Sequence, residues 1–321
     1  MTDGDRRARS GETDAEDAAD ATSAADDPVG PIDPEPRSPP GNAQLALLLE
    51  VSGTPKPGNV DRRRDLDGLR FGQFMAGAVG VRRGLDAAAD GAPIGAAFER
   101  GVAGMSRGAG DNTQFGCLLL LVPLVAAAAA AGDGSLSRSD ARRVVDSTTV
   151  EDAAGFYRAF EHVDVAVPDP PPGAAALDVR RGAGAIPALR ERGLTLADVL
   201  ALSADRPGRD RPGDGNAREW SRGFPRTFAL AESILADEGP ATDRAARAFL
   251  DALADRPDTL VATEHGIDTA REVSRRAAAV EGRDDAEALA EAFVDAGINP
   301  GTTADLVCAA LFVALERGME P

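Results

Sequence analysis

The stretch FGCLLLLVPLVAAAAAAG, residues 115–132, carries no charged side chain and is the most apolar part of this chain. It just reaches the length of about 18 residues at which a membrane span has to be considered. Pro123 interrupts it, alanine fills its second half, and basic flanks are lacking. We therefore expect a helix buried in the core of a helical domain, and no attachment to a membrane.

Helical periodicity continues on both sides of this stretch. Apolar residues recur every 3.6 positions between 71 and 85, and a first helix is expected around 45–51, ending before Pro55. Further helices are predicted over 94–105, 114–131, 138–161, 194–203, 217–237, 242–255, 267–280, 284–296 and 303–317. The fold class that follows is all-α, a single multi-helix globular domain with long loops on the site face.

Few segments favour any other structure. The alternation of Val163, Val165 and Val167 is the best strand candidate, and it ends at Pro168. Residues 168–184 and 205–215 are rich in Pro and Gly and predict long connections. Residues 1–42 contain almost no large apolar side chains, so we expect a disordered acidic tail before a domain that spans 43–321.

The charge balance excludes some functions. The chain has 53 Asp and Glu against 35 Lys and Arg, a net charge of −18 and a pI of about 4.6. No basic stripe exists, so nucleic-acid binding has no electrostatic footprint. The acid surplus, the scarcity of lysine and the low aromatic content of 4% favour a salt-rich cytoplasm, which screens self-repulsion. No secretory signal opens the chain, and Cys117 and Cys308 are expected to be reduced core residues.

The first candidate site is the segment TPKPGNVD, residues 54–61, around Lys56. It holds the only lysine among 35 basic residues. The ammonium group of lysine is a compact point charge on a flexible side chain. Lysine and arginine are therefore not interchangeable where such a charge is needed, as at a phosphate group. Three arginines follow at 62–64 and could clamp phosphate oxygens. The interleaved Asp61, Asp65 and Asp67 suggest Mg²⁺, which usually takes one or two carboxylates together with substrate phosphates.

Two more segments open predicted helices. GAGDNTQ, residues 108–114, precedes the most apolar helix, and a helix start with free N–H groups favours an anion. Asn112 or Thr113 would equally serve as an N-cap. NPGTTAD, residues 299–305, opens the last helix, and Thr302 with Asp305 resembles a capping pair.

The histidines and two aromatic residues are further candidates for the site, but each also has a structural explanation. His162 follows an apolar helix and is expected to be structural. His265 lies at a helix end, where a cationic C-cap explains it. Trp220 and Phe224 could face an adenine ring, although such aromatic residues usually pack in the core.

These three segments, in this order, resemble the triphosphoribosyl-dephospho-CoA synthase family. The matching residues are 50–52, 54–58, 60–62, 112–113 and 300–306, and the resemblance spans roughly 43–317. Bacterial members follow the Asp-Arg pair with a Gly-Ala-His-x-Asp-Met element, whereas this chain has RRDLDGLRF at 63–71. This segment resembles that of an archaeal branch of the family. Together with the acidic composition, it leads us to expect a haloarchaeal origin.

The resemblance implies that ATP donates its triphosphoribosyl group to the ribose 2′-hydroxyl of 3′-dephospho-CoA or a related acceptor, with release of adenine. It implies Mg²⁺ as cofactor and leaves a homo-oligomer open. The implied roles are catalytic for Glu50, Lys56, Asp61 and Asp305; nucleotide-binding for Thr54, Lys56, Gly58, Asn59, Arg62, Asn112, Thr113, Thr302 and Thr303; and metal-binding for Asp61 and Asp65.

Two functions of other kinds stay open at this point. A magnesium-dependent ADP-ribosyl or nucleotide-sugar hydrolase would also use Asp-rich loops between helices, and would form ribose products from ADP-ribosyl substrates. A non-catalytic nucleotide- or CoA-binding helical protein would bind ATP without forming adenine. A third expectation keeps the transfer chemistry but changes the acceptor, because the His element is missing.

Overall fold

Helices make up the body of the protein throughout the part of the chain that the structure describes. This computed structural model describes residues 37–132, 135–167, 169–170, 173–204 and 213–321. Its α-helices over these residues are α1 Pro39–Ser52, α2 Phe71–Gly80, α3 Arg82–Ala89, α4 Ile94–Ala109, α5 Phe115–Ala131, α6 Arg138–Asp146, α7 Val150–Ala159, α8 Ile186–Arg192, α9 Leu196–Ala204, α10 Gly215–Ser221, α11 Pro225–Ala236, α12 Ala241–Asp255, α13 Thr259–His265, α14 Ile267–Ala278, α15 Arg283–Asp295 and α16 Gly301–Glu316. Short 3₁₀ helices cover Ala175–Leu177 and Val179–Ala185. The predicted all-α domain is confirmed.

The first helix begins earlier than the apolar pattern indicates. Helix α1 starts at Pro39, ahead of Ala43, and the Ser38 hydroxyl accepts a hydrogen bond from the Gly41 N–H at 3.4 Å. A Ser N-cap followed by Pro is a helix start that needs no apolar residue, so hydropathy alone misses it. Residues 1–36, the main part of the expected tail, lie outside the described residues.

Helices α5 and α16 form the centre of the core. Both are apolar around most of their circumference, and α16 packs against α1, α5, α11 and α12. A helix that is apolar on all sides must be covered on all sides. The expected burial of residues 115–131 is therefore confirmed, and no helix among the described residues has the length and hydropathy to cross a bilayer.

Three predicted helices are divided in the structure. The pattern over 71–85 forms α2 and α3, which meet at Val81, and two longer helices are each divided by a local signal. Residues 138–161 form α6 and α7 because Thr149 starts a new helix, its N–H donating to Asp152 Oδ2 at 2.8 Å in a capping box. Residues 217–237 form α10 and α11 because Gly223 and Phe224 have φ values of +69° and +57°, which no α-helix accommodates.

Three segments differ in kind from expectation. Residues 163–167 form no strand, since the described residues contain no extended partner for it, although Val163 and Val165 still pack against the core. Helices α8 and α13 were not predicted. Both have seven residues, too few for a periodic pattern to stand out. Of the two predicted connections, residues 168, 171–172 and 205–212 lie outside the described residues.

Helices α4 and α7 cross at two glycines. A Cβ atom placed on Gly95 would lie 2.1 Å from the Asp152 carbonyl oxygen, and one on Gly155 would lie 2.5 Å from the Gly95 carbonyl carbon. The Gly95 N–H also donates to Asp152 Oδ1 at 2.9 Å. This crossing holds the start of α4 directly against α7.

We expect Gly95→Ala to lower the free energy of unfolding by about 1–3 kcal/mol, because overpacking a tight contact forces backbone to move. Chemical denaturation monitored by circular dichroism measures the change. Gly72→Ala in α2 is the matched control, since no atom lies within 4 Å of its added Cβ. That control should be neutral or stabilising by up to about 1 kcal/mol. Equal effects of the two variants would contradict the packing argument.

Candidate active site

A central cavity of about 850 Å³ lies where the end of α1 meets the starts of α5 and α16. Its volume falls within the roughly 300–1,000 Å³ that is typical of small-molecule sites. Among the residues that line it are Glu50, Asn59, Thr302 and Asp305. All three sequence segments singled out as candidates therefore contribute to one cavity.

Lys56 lies beneath the floor of the central cavity rather than inside it. The side chain is 0% exposed. Its Nζ forms an ion pair with Glu50 Oε1, donates to Asn59 Oδ1 at 3.1 Å and lies 5.7 Å from the centre of the Phe249 ring. The partners Glu50 and Asn59 line the cavity, whereas Lys56 does not. The geometry thus supports a positioning role and does not support the predicted grip on phosphate.

Glu50 has a buried carboxylate with one cationic partner. Burial raises its pKa, and the Lys56 ammonium opposes that rise. The ion pair with Lys56 involves Oε1 of Glu50 and not the other carboxylate oxygen. The side chain can therefore present a negative charge to the cavity. This placement is compatible with the predicted catalytic role.

Asp61 organises the loop that follows Lys56. Its Oδ2 accepts from the Thr54 hydroxyl at 2.8 Å and from Arg64 Nη1 at 3.1 Å, and the Lys56 N–H donates to the same oxygen at 3.2 Å. Its Oδ1 accepts the backbone N–H groups of Arg63 and Arg64 at 2.8 and 3.0 Å. With five donors around a side chain that is 0% exposed, Asp61 is not available to a metal or a substrate. The geometry therefore does not support its predicted catalytic and metal-binding roles.

Two other predicted ligands lie outside the cavity. Asp65 is exposed and accepts the Phe71 N–H at the start of α2, with Oδ1 at 2.7 Å. Arg62 is exposed, and neither residue lines the central cavity. Asp61 and Asp65 do not fit a Mg²⁺ site, and the described residues contain no group of three or more potential metal-ligating side chains. The predicted phosphate contact of Arg62 is likewise not supported.

Gly58 joins the first and third sequence segments. It has a φ of +75°, and a Cβ at this position would lie 2.3 Å from the Ile298 carbonyl oxygen. Only glycine allows this approach without strain. It brings Asn59 to Asn299, where the Asn59 Nδ2 donates to Asn299 Oδ1 at 2.9 Å. Gly58 and Thr54 therefore shape the loop, and Asn59 carries the contact to the cavity.

Asp305 projects into the cavity from the first turns of α16. Asn216 Nδ2 donates to Asp305 Oδ2 at 2.8 Å, and Cys117 Sγ donates to Oδ1 at 3.2 Å. Burial raises the pKa of Asp305 to about 7, which the two hydrogen bonds oppose. A Cβ on Gly116 would lie 2.0 Å from Asp305 Oδ2, so this approach requires glycine. A carboxyl group with a pKa near neutrality suits proton transfer.

The two threonines ahead of Asp305 have different surroundings. Thr303 is buried, and both its N–H and its hydroxyl donate to Asp258 Oδ2 at 2.7 Å, so its position is structural. Thr302 lines the cavity, and its hydroxyl accepts from the Thr259 hydroxyl at 3.1 Å. Burial raises the pKa of Asp258, against the effect of its hydrogen bonds. Only Thr302 is placed to contact a ligand in the central cavity.

Asn112 and Thr113 line the opposite side of the cavity, at the start of α5. Asn112 Oδ1 accepts the Phe115 N–H at 3.2 Å, as an N-cap does, and its Nδ2 donates to the Asp164 carbonyl at 3.2 Å. The Thr113 hydroxyl donates to Gln114 Oε1 at 3.2 Å. Asn112 therefore binds the first N–H of α5 although Gln114 is the N-cap residue, and its position on the cavity remains compatible with ligand contact.

The aromatic wall of the cavity was not predicted. Phe115, Phe156, Tyr157 and Phe160 line it and pack edge-on or tilted against one another. The predicted adenine partners Trp220 and Phe224 are core residues, 1% and 0% exposed, and the Trp220 Nε1 donates to the Leu119 carbonyl at 2.7 Å. The spacing of the aromatic residues in 156–160 is typical of a helix face that packs in the core. The sequence therefore gives no sign that these residues line a cavity.

Asn216 and Cys117 are further residues that sequence reasoning missed. Asn216 follows a stretch without any periodic pattern, and Cys117 is one apolar residue among many in α5. Both approach Asp305 only because α5, α10 and α16 meet. The histidines stay peripheral: His162 Nε2 lies 3.9 Å from Glu99, and His265 Nε2 contacts the Gly297 carbonyl at 3.1 Å.

Comparison with known proteins gives a family and a fold. A family model described as CitG, ATP:dephospho-CoA triphosphoribosyl transferase, matches residues 36–320. A crystal structure from Archaeoglobus fulgidus, of a candidate triphosphoribosyl-dephospho-CoA synthase, matches with a TM-score of 0.62 at 24% identity, covering 76% of this chain and 99% of that one. No curated protein sequence matches significantly. The family match covers most of the chain, and the structural match supports the fold.

Proposed function

Since the chain belongs to the CitG family of ATP:dephospho-CoA triphosphoribosyl transferases, we propose that it transfers the triphosphoribosyl group of ATP to the 2′-hydroxyl of 3′-dephospho-CoA, or of a closely related acceptor, in the central cavity. Adenine is the leaving group. Family membership resolves the earlier alternatives in favour of a transferase over a hydrolase or a non-catalytic binding protein.

One observation carries the assignment of the site. Glu50 and Asp305 line the same cavity from different helices, and burial raises the pKa of both carboxyl groups. Loss of a base from the ribose develops positive charge at C1′, and an adjacent carboxylate stabilises such a charge. Transfer to a hydroxyl also needs a group that accepts its proton. The two carboxyl groups supply both functions.

In the proposed reaction, the C1′–N9 bond of ATP breaks and its electron pair leaves with adenine. The acceptor 2′-oxygen forms the new bond to C1′, and its proton passes to Asp305. Adenine takes up one proton from solvent and Asp305 later returns its proton to solvent, so the overall reaction is balanced without any oxidant or reductant. Glu50, held by Lys56, faces the cationic ribose. Asn59, Asn216 and Asn299 surround the same region and supply hydrogen bonds to hydroxyl groups.

We retain Mg²⁺ only as the counter-ion that ATP brings on its own phosphate oxygens, because Asp61 and Asp65 do not fit as its ligands. No step of the proposal passes through the metal. The chain instead contributes the helix starts of α5 and α16, whose positive dipole ends favour phosphate.

The choice of acceptor is proposed to depend on the segment that departs from the bacterial pattern. Asp67, Gly68 and Leu69 from this segment line the central cavity. The segment folds into two tight turns, with bridges between Asp61 and Arg64 and between Leu66 and Leu69. A change in these residues can therefore change which acceptor binds in the cavity and leave the transfer chemistry the same.

Mass spectrometry of the enzyme with ATP, Mg²⁺ and 3′-dephospho-CoA at high salt tests the function. We expect free adenine and a product heavier than the acceptor by one triphosphoribosyl group. CoA, whose 3′-hydroxyl is phosphorylated, serves as the comparison acceptor and should give less product. Adenine formation that does not depend on any acceptor would indicate hydrolysis and overturn the proposal, as would the absence of adenine with both acceptors.

A further inference from the structure

The central cavity is electrostatically unsuited to hold a triphosphate by itself. Among the residues that the structure describes, a single arginine, Arg192, lines it. The acidic residues that line it are Glu50, Asp67, Asp111, Asp164, Asp178, Asp214, Glu264 and Asp305. A polyanion placed among so many carboxylates would be repelled, and the low dielectric of a cavity strengthens that repulsion. The reaction nevertheless has to hold the triphosphate, which stays attached to the ribose throughout.

A second, smaller cleft with the opposite character adjoins the cavity. It has a volume of about 20 Å³, and the guanidinium-bearing residues Arg218, Arg226 and Arg256 line it. Thr259 and Thr302 line both the cleft and the cavity. We call this feature the arginine cleft. It therefore opens beside Thr302, at the start of α16, and Thr259, at the start of α13.

The charges of the arginine cleft are poorly compensated from within. Arg218 Nη2 donates to the backbone carbonyls of Ala204 and Gly213 at 3.2 and 3.3 Å. Arg226 Nη2 lies 3.4 Å from Asp255 Oδ2, at the long end of a hydrogen bond. Among the described residues, neither Arg218 nor Arg256 forms an ion pair. Burial and the neighbouring Arg256 lower the pKa of Arg226, and Glu219 and Asp255 oppose that effect only in part.

The two carboxylates of the arginine cleft are already engaged elsewhere. Glu219 Oε2 accepts the N–H groups of Arg226 and Thr227 and the Thr227 hydroxyl, each at 3.0 Å. Asp258 accepts from Thr303 through one oxygen, and from the backbone at the start of α13 through the other. Arg218, Arg226 and Arg256 are therefore the cationic side chains that line the cleft, beside two carboxylates that already accept hydrogen bonds.

We propose that the arginine cleft binds the terminal phosphate of the triphosphate, and that the enzyme distinguishes ATP from shorter nucleotides there. The inference rests on the proposed transfer reaction. Thr302 lies three residues before Asp305 on α16, about 4.5 Å along the axis. A ribose at Asp305 therefore directs its triphosphate past Thr302 and into the cleft. The small volume, close to that of a single water site, excludes a nucleoside, so a phosphate would meet the arginines at the mouth of the cleft. Guanidinium groups suit phosphate oxygens.

Binding of inorganic tripolyphosphate tests the cleft without any turnover. Isothermal titration calorimetry should give a dissociation constant about 10- to 100-fold higher for Arg256→Gln than for the unmodified enzyme, which corresponds to the loss of one or two charge-assisted contacts. Arg256 makes no hydrogen bond among the described residues, so this variant should fold normally. Arg192→Gln is the matched control in the central cavity, and its tripolyphosphate affinity should be unchanged.

Comparison of ATP with ADP gives a second, kinetic readout. Arg256→Gln should raise the KM for ATP about 10-fold or more and leave kcat/KM for ADP unchanged, since ADP lacks the phosphate that reaches the cleft. Arg218→Gln should act in the same direction. Loss of tripolyphosphate binding in Arg192→Gln instead, or equal losses for ATP and ADP, would overturn the proposal. Normal tripolyphosphate binding without adenine release from ATP would overturn the transfer function and leave the anion site standing.

Discussion

Asp305→Asn is expected to slow adenine release by about 10²- to 10⁴-fold, the usual contribution of a positioned general base. Asparagine keeps the shape of the side chain and can still pair with Asn216, but it cannot take a proton from the acceptor hydroxyl. Steady-state assays of adenine at saturating ATP and acceptor measure the loss. The unmodified enzyme should also gain kcat/KM as pH rises through about 7, the pKa to which burial raises Asp305.

The same substitution should stabilise the protein above neutral pH. The folded-state pKa of Asp305 is about 7 against a reference value of 3.8, so between these values the folded protein holds a proton that the unfolded chain has lost. Stability contributed by this group is therefore lost progressively as pH rises from about 4 to about 7. Asp305→Asn removes that loss, and its free energy of unfolding at pH 8 should exceed that of the unmodified protein by about 1–4 kcal/mol.

Asp295→Asn, at the exposed end of α15, is the matched carboxylate control. It should leave adenine release unchanged and alter stability by less than about 0.5 kcal/mol at every pH. If Asp305→Asn retained near-normal activity, the assignment of the base would be wrong. If its stability followed that of the unmodified protein at all pH values, the argument from burial would be wrong.

Lys56→Met is expected to remove both stability and activity. Glu50 would be left with a buried charge and no cation, and breaking a buried ion pair typically costs about 3–5 kcal/mol. The amide oxygen of Asn59 would also lose its donor. Denaturation measures the first effect, and the adenine assay measures the second at a temperature where the variant stays folded.

The double variant Glu50→Gln/Lys56→Met separates structure from chemistry. With both charges removed, the site should recover most of the lost stability, because a neutral pair costs less to bury than a lone charge. Activity should not recover, since position 50 then no longer supplies a carboxylate to the cationic ribose. Recovery of adenine release in the double variant would contradict the role of Glu50.

Arg82→Met is the matched control for a surface ion pair. Arg82 and Asp86 form an exposed i,i+4 pair at 2.7 Å, and such pairs contribute less than about 1 kcal/mol. A loss of stability as large as that of Lys56→Met would show that burial is not the deciding factor.

Local and periodic signals foresaw much of the architecture. The uncharged run at 115–131, the helix after Pro300 and the turn around Pro55 each follow from residues adjacent in sequence. Sequence reasoning did not predict the short helices α8 and α13 or the break at Gly223, because a segment of a few residues shows no measurable periodicity. The resemblance to a family came from motifs, and the family match confirms it.

The roles of the site residues could be foreseen only in part. Glu50, Asn59, Asn112, Thr113, Thr302 and Asp305 do line the central cavity. Lys56, Asp61 and Thr303 are charged or polar residues from the same motifs, yet they hold the loop and the helix start together. A sequence motif indicates which residues belong to a site. It does not indicate whether a given side chain faces the ligand or packs against the protein behind it.

Composition and periodicity were sufficient for the fold class, because burying an apolar helix on all sides depends on the chain's own hydropathy. Tertiary packing alone decided which polar groups face the cavity. The pairing of Glu50 with Lys56, the approach of Cys117 and Asn216 to Asp305, and the gathering of three arginines beside Thr302 all join residues far apart in sequence. The pKa of a buried carboxyl depends on neighbours from several helices, and no local pattern encodes them.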